Sequence, residues 1–236
     1  AGTSKVWPVP KAQKALYVNL ERSKESIQRR IGQCNGALDL EPGRPMLVLN
    51  ARGKSLADVR YAVESAVKND GVEVLFLDSI SRSGQGSLLG DQETNRTIDM
   101  LNNLCPTWLA IGHTPRSDDS HVFGSVHFEA GADLIVRLAS EPADNRMGIG
   151  LKVEKANDTP KPPMGKFALE FGPYGLSGIK KAHDGEFTDL DSFAKPPLKT
   201  LVIEYLKEYD DGTATEISSV IDRHRPDVST LLKNDG

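Results

Sequence analysis

Four short apolar segments alternate with helical patterns in the first half of the sequence. The segments are residues 15–20 (ALYVNL), 46–50 (MLVLN), 72–77 (VEVLFL) and 107–112 (TWLAIG). Between the second and third segments, Leu56, Val59 and Val63 recur at the spacing of an amphipathic helix. Short apolar strands that alternate with helices are typical of a parallel sheet with right-handed crossovers. The sequence therefore predicts an α/β fold for this part of the chain.

The pattern changes after residue 132. Four further strands are predicted, separated by loops rich in glycine and proline, at residues 133–138, 150–155, 166–171 and 178–181. We expect them to form an antiparallel meander that extends the parallel sheet at one edge. Residues 1–182 are accordingly predicted to be the first domain.

A polar stretch that ends in two prolines, residues 183–197, is predicted to be a linker. It is followed by three short helical patterns in residues 198–233, with Thr215 as the cap of the second helix and Pro226 at the start of the third. Helices joined by short turns indicate a small unit of the helix-turn-helix type over residues 198–236.

Three basic side chains, Arg223, His224 and Arg225, lie beside the predicted start of the third helix. A helix N-terminus with nearby cations favours contact with DNA phosphates. The alternative interpretation is a packing or oligomerisation unit.

The composition is that of an ordinary globular protein. The net charge of −4 excludes a globally basic nucleic-acid coat but leaves room for a local basic path. No run of 18 apolar residues is present, so we expect no transmembrane helix. The cysteines, Cys34 and Cys105, are far apart and are predicted to be reduced core thiols in a cytoplasmic protein.

Polar residues directly follow three of the apolar segments: Glu21, Asp78 and His113. In open parallel sheets, ligands bind at the carboxyl ends of the strands. An aspartate there can hold Mg²⁺ through water, a glutamate can activate the attacking water, and a histidine can sense a terminal phosphate. The three residues therefore suit metal-assisted phosphoryl transfer. The alternative is that polar residues stand there only because loops begin at the ends of strands.

The segment Gly53-Lys54-Ser55 is similar to the end of a phosphate-binding loop, because it follows a strand and precedes a helix. The full motif requires a glycine five residues before Gly53, and that position is Val48. We therefore interpret Ser55 as the N-cap of the following helix.

Five sequence segments, taken together and in order, resemble the RecA-like ATPase core. They are ALYVNLE, SKESIQRRI, VLFLDSISR, LAIGHTPR and GADLIVRL. The most similar subgroup is the AAA-type ATPases related to plasmid-encoded hexameric replicative helicases, and the resemblance covers residues 8–182. It implies a P-loop NTPase core with an antiparallel C-terminal extension.

The resemblance also implies roles for the three polar residues. Glu21 corresponds to the catalytic base, Asp78 to the Walker B aspartate that orders Mg²⁺, and His113 to the sensor of the γ-phosphate. ATP and Mg²⁺ are the implied cofactors, and a homo-oligomer, a hexameric ring, is the implied assembly. In the family, the phosphate loop lies before the strand that carries the glutamate. We expect the chain to begin after that loop and therefore to bind ATP poorly.

The sequence departs from the family at the finger that reaches a neighbouring subunit's nucleotide. The family pattern is Lys-x-Arg, whereas here Asn157 stands two residues after Lys155, where the family has arginine. Lys155 remains a candidate for phosphate contact as a point charge. Other candidates for phosphate or nucleic-acid contact are Arg116, Arg137 and Arg146, together with His121, Phe123 and His127 in the predicted second mobile loop.

The leading functional hypothesis is an ATP-hydrolysing motor of the replicative-helicase type that acts on DNA. A second hypothesis is a nucleotide-free scaffold or DNA-binding regulator that keeps the fold for assembly. A third is a recombinase or clock-type ATPase of the same superfamily.

Overall fold

The computed structural model describes residues 6, 9, 11–84, 86–114, 126–194 and 198–234. The chain divides into two compact units, Ala1–Ala182 and His183–Gly236.

A four-stranded parallel sheet forms the centre of the first unit. Its strands are β1 (Ala15–Asn19), β2 (Leu47–Asn50), β3 (Val74–Asp78) and β4 (Trp108–Ala110), in the order β2-β1-β3-β4. The helices that connect them are α1 (Lys24–Ala37), α2 (Leu56–Asp70) and α3 (Asp91–Leu104), and a 3₁₀ helix (Ile80–Arg82) follows β3. The predicted parallel α/β fold is confirmed for this region.

Local capping explains where these helices begin and end. Ser55 caps α2 by a reciprocal pair of hydrogen bonds with Asp58, and Gly71 ends α2 in the left-handed conformation at φ 65°. Ser23 caps α1 by accepting a hydrogen bond from the Ser26 backbone N–H. The apolar face of α2 then packs with the strands in a core whose fully buried members include Leu56, Val63, Val18, Leu75 and Leu101.

The four later strands form an antiparallel sheet of their own. After the short helix α4 (His127–Gly131) come β5 (Leu134–Ala143), β6 (Arg146–Ala156), β7 (Gly165–Gly172) and β8 (Gly175–Lys181), in the order β5-β6-β7-β8. The meander is confirmed, but its predicted extension of the parallel sheet is wrong. No backbone pairing joins the two sheets within the described residues, because each of these strands pairs with its sequence neighbour and β4 is only three residues long.

The second unit is helical, with α5 (Thr188–Ala194), α6 (Leu198–Tyr209), α7 (Ala214–Val220) and α8 (Arg225–Asn234). Val202, Tyr205, Ile217 and Val228 form the buried core shared by the last three helices. The structure places α5 inside the range predicted as a linker, so that range is partly helical.

The caps of this unit also differ from prediction. Thr213, not Thr215, caps α7, because Glu216 stands three residues after Thr213 and completes a capping box with it. Helix α8 begins at Arg225, so Pro226 occupies its first turn, where its missing N–H costs no hydrogen bond.

Two further sequence predictions concern membrane spans and cysteines. No helix among the residues that the structure describes is long and apolar enough to cross a membrane. Cys105 is buried, whereas Cys34 is exposed, so its assignment to the core is wrong. The cause is the polarity of α1, in which Ile27 is the buried residue.

Candidate active site

The pairing of β1 with β3 brings Glu21 and Asp78 to the same edge of the sheet. Asn19 pairs with Asp78, and the backbone N–H of Leu20 donates to the Asp78 carbonyl oxygen at 2.9 Å. Glu21 is the next residue, so both carboxylates lie at the carboxyl ends of adjacent parallel strands. This is the edge at which ligands bind in such sheets.

The Asp78 side chain is held by a tyrosine of the neighbouring strand. The Tyr17 hydroxyl donates a hydrogen bond to Asp78 Oδ2 at 2.6 Å. Burial of the ring, reinforced by this hydrogen bond and by the negative charge of Asp78, raises the pKa of Tyr17 well above its ordinary value. Tyr17 is therefore a neutral hydroxyl at neutral pH and can donate its proton to Asp78.

The Glu21 side chain meets two serines that follow Asp78. Ser79 Oγ, which is fully buried, donates to Glu21 Oε1, and Ser81 Oγ donates to the same oxygen at 3.3 Å. The peptide bond between Asp78 and Ser79 is cis.

These contacts keep Glu21 ionised. The hydrogen bond from Ser79 lowers the pKa of Glu21, partial burial opposes this, and Ser81 and the nearby His113 and Arg82 side chains lower it further. A carboxylate that is ionised at neutral pH can accept a proton from water.

A buried asparagine fixes the turn that carries Glu21. Asn19 Nδ2 donates to the Arg22 carbonyl oxygen at 2.8 Å and to Asn50 Oδ1 at 3.1 Å, and its Oδ1 accepts from the Arg22 backbone N–H at 2.9 Å. Asn19 is fully buried and has its polar atoms satisfied by these bonds. It therefore ties the end of β1 both to the following turn and to the end of β2.

His113 lies just beyond β4 at the same edge. The backbone pairing of β3 and β4 continues past Ala110, since Ile111 donates to Leu77 and accepts from Ile80, both at 3.0 Å. His113 follows two residues later, is exposed, and is close enough to Glu21 for an electrostatic interaction. Glu21, Asp78 and His113 are thus brought to one edge of the sheet, as expected from the sequence.

The other predicted contacts lie elsewhere or outside the described residues. Lys155 Nζ donates to the carbonyl oxygens of Glu129 and Ala130, at 2.8 and 3.0 Å, and so holds the end of α4. No described contact joins it to Glu21, Asp78 or His113, and its role as a phosphate contact stays a prediction. His127 begins α4 and is not in a loop as predicted. Arg137 and Arg146 lie on β5 and β6, while Arg116, His121 and Phe123 lie outside the described residues.

The segment at Gly53 is not a phosphate loop. The Lys54 backbone N–H donates to the Ala51 carbonyl oxygen at 3.0 Å, which closes a tight turn. The Ser55 hydroxyl is occupied by Asp58, to whose Oδ2 it donates at 2.7 Å and from whose backbone N–H it accepts. The interpretation of Ser55 as an N-cap is confirmed.

The donor set at the edge of the sheet fits Mg²⁺ brought in by a nucleotide. No group of three His, Cys, Asp or Glu side chains that could hold a metal ion occurs in the described part of the chain. Nucleotide-bound Mg²⁺ needs only one or two carboxylates, because phosphates and water supply its other ligands. Asp78 is a carboxylate of this kind.

Sequence reasoning missed four residues of this site: Tyr17, Asn19, Ser79 and Ser81. Tyr17 and Asn19 are two residues apart on β1, which places them on one side of the strand that leads to Glu21, and this periodicity was the available signal. Nothing in the sequence pattern marks the two serines, because their contacts depend on the register of β1 with β3.

A parallel α/β sheet with these carboxylates at its carboxyl edge is consistent with a core of the P-loop nucleotide hydrolase class. The family model described as an AAA domain matches residues 1–119, half of the chain. The chain therefore belongs to the AAA domain family, which indicates an ATPase-type function with use of nucleotide and Mg²⁺. The match includes Glu21, Asp78 and His113 and excludes the antiparallel sheet and the second unit. No curated protein matches the chain.

Proposed function

We propose that this chain supplies the hydrolytic residues of an ATPase, with Glu21 as the general base. The observation that carries the proposal is the pairing of β1 with β3, which sets two carboxylates side by side in different environments. Glu21 is held as an anion by hydroxyl donors, and Asp78 is held by Tyr17. Two neighbouring carboxylates with different partners are suited to different roles in one reaction.

The roles follow from those environments. Glu21 accepts the proton of the attacking water and orients that water toward the γ-phosphorus. Asp78 is the residue that would hold Mg²⁺ through water, and the ion would neutralise charge on the phosphates. His113 lies at the same edge and contacts the terminal phosphate, so the residues after it can respond to hydrolysis.

The wider proposal is a DNA motor of the replicative-helicase type that works as a hexameric ring. It is supported by the sequence resemblance and by the last three helices of the second unit, which share one core and in which α8 begins at Arg225, two residues after Arg223. Residues 183–236 contain 6 Lys or Arg and 12 Asp or Glu, a net charge of −6. Contact with DNA by this unit would therefore be confined to the cations at the start of α8, and its acidity favours the alternative role in packing or oligomerisation.

The test is ATP hydrolysis by a protein in which a phosphate loop precedes this chain. Glu21→Gln keeps the size of the side chain and removes the base. We expect turnover to fall about 10²-fold or more while ATP binding changes little. Glu41→Gln is the matched control, because Glu41 is an exposed residue of the turn before β2 and should leave turnover unchanged.

Hydrolysis at the parental rate in Glu21→Gln would show that Glu21 is not the base. Absence of Mg²⁺-dependent ATP binding in the protein with the phosphate loop would favour the non-catalytic scaffold.

A further inference from the structure

Two hydroxyl groups converge on a single oxygen of Glu21. Ser79 is fully buried at the end of β3, and Ser81 is an exposed residue of the 3₁₀ helix that follows. Both contact Glu21 Oε1, and their own oxygens lie 2.6 Å apart. Among the described residues, none donates a hydrogen bond to the other oxygen, Oε2.

The number of protons that the two serines can donate sets the direction of the hydrogen bonds among Ser79, Ser81 and Glu21. Each serine has one O–H to donate, and an ionised carboxylate only accepts. When Ser79 donates to Glu21, the single O–H of Ser81 is shared between the Ser79 oxygen at 2.6 Å and Glu21 Oε1 at 3.3 Å, so Ser81 acts on Oε1 mainly in series through Ser79. Hydrogen bonds to a charged group are stronger than neutral ones, and bonds in series strengthen one another.

We propose that Ser79 and Ser81 are positioning residues that anchor Glu21 through Oε1 and leave Oε2 as the oxygen that accepts the proton from water. The anchoring is a property of the described contacts, whereas its catalytic consequence rests on the proposed function. The fold makes this arrangement possible, because Ser79 directly follows Asp78 and therefore meets the turn after β1.

The anchoring is tested on the chain itself by carboxyl ¹³C NMR. The Glu21 signal is assigned by its loss in Glu21→Gln and is followed through a pH titration. We expect the midpoint to move to higher pH in Ser79→Ala, and less so in Ser81→Ala, because donors to the carboxylate are removed. His113 and Arg82 also act on Glu21 and are unchanged in both variants.

Two controls separate anchoring from a general loss of structure. Ser83→Ala removes another buried serine hydroxyl, which contacts Thr97 and not Glu21, so the titration should not move. Ser81→Thr retains a hydroxyl at an exposed position and should titrate as the parent does. Because Ser79 is buried and Ser81 is exposed, Ser81→Ala tests the same contacts without loss of a core residue. A Glu21 titration that is unchanged in both serine-to-alanine variants overturns the proposal.

The catalytic arm uses the ATP-hydrolysing protein with its phosphate loop. A misplaced base lowers kcat by roughly 10-fold to 100-fold without changing KM for ATP. The acid side of the kcat profile should also move to higher pH in Ser79→Ala. If the Glu21 titration moves in the serine variants but kcat is unchanged, Ser79 and Ser81 do not position the base for catalysis. If the Glu21 titration moves in the serine variants but the Glu21→Gln variant hydrolyses ATP at the parental rate, the proposed function is wrong. The anchoring of Glu21 by the serines is then still supported.

Discussion

Replacing Gly84 by alanine should destabilise the first unit through a collision with the start of α2. Gly84 has φ +78°, and a Cβ atom there would lie 2.5 Å from both Cβ and Oγ of Ser55. Ser55 is the N-cap of α2. The Ala57 backbone N–H donates to the Ser83 carbonyl oxygen at 3.2 Å, so the loop cannot move away without breaking this bond.

The magnitude follows from two separate costs. The left-handed conformation costs alanine about 1 kcal/mol relative to glycine. Displacing Ser55 removes the N-cap, which costs a further 0.5–2 kcal/mol, about 1 in most helices. Gly84→Ala should therefore lower the free energy of unfolding by about 1.5–3 kcal/mol. Gly53 has φ +83° with open space around it, so Gly53→Ala incurs only the first cost.

The assay is urea unfolding followed by tryptophan fluorescence. Trp7 and Trp108 are the tryptophans of the chain, and both precede residue 183, so the signal reports on the first unit. The result expected is a loss in Gly84→Ala that exceeds the loss in Gly53→Ala by about 0.5–2 kcal/mol. Equal losses in the two variants would refute the role assigned to the contact with Ser55.

Three further predictions concern single contacts. Tyr17→Phe should lower the free energy of unfolding by about 1.5 kcal/mol, since it removes a hydrogen bond to a carboxylate. The control is Tyr61→Phe, at a side chain that is 74% exposed, which should have no measurable effect. Equal effects of the two substitutions would contradict the argument. Because Ser79 lowers the pKa of Glu21, the stability that this contact adds is present above the unfolded pKa of about 4.3 and is lost as pH falls through the folded pKa. The difference in Tm between the parent and Ser79→Ala should shrink from pH 7 to pH 3, and a constant difference would exclude an ionic origin. If the second unit binds DNA, low-salt anisotropy should show weak, salt-sensitive binding by the full chain that is lost when Arg223 and Arg225 are both replaced by alanine; no binding, or unchanged binding, favours a packing role.

The elements that sequence could predict are those fixed by local chemistry. Ser55 and Gly71 mark the ends of α2 because a cap acts within one helical turn, and the position of Asp78 follows from the apolar strand before it. The separate antiparallel sheet was not predictable, because strand composition does not say which strand pairs with which. Helix α5 was missed because its sequence is short and polar.

The partners of the site residues needed the structure for the same reason. The contacts of Tyr17 with Asp78 and of Ser79 with Glu21 join residues 61 and 58 positions apart. A shift of one residue between β1 and β3 would turn these side chains to opposite faces. The sequence pattern identifies the strands and does not specify that register.

The long sequence separation within the site has a consequence for how the chain folds. Strands β5 and β6 are joined by a two-residue turn, as are β7 and β8, so their pairing closes very short loops. Strand β1 instead pairs with β3, which lies much later in the chain, and closing the long loop between these two strands carries a larger entropic cost. Topologies rich in distant contacts fold more slowly than those rich in local ones. The antiparallel sheet should therefore gain protection from amide hydrogen exchange early in refolding, before Glu21 meets Ser79 and the edge of the parallel sheet takes its final form.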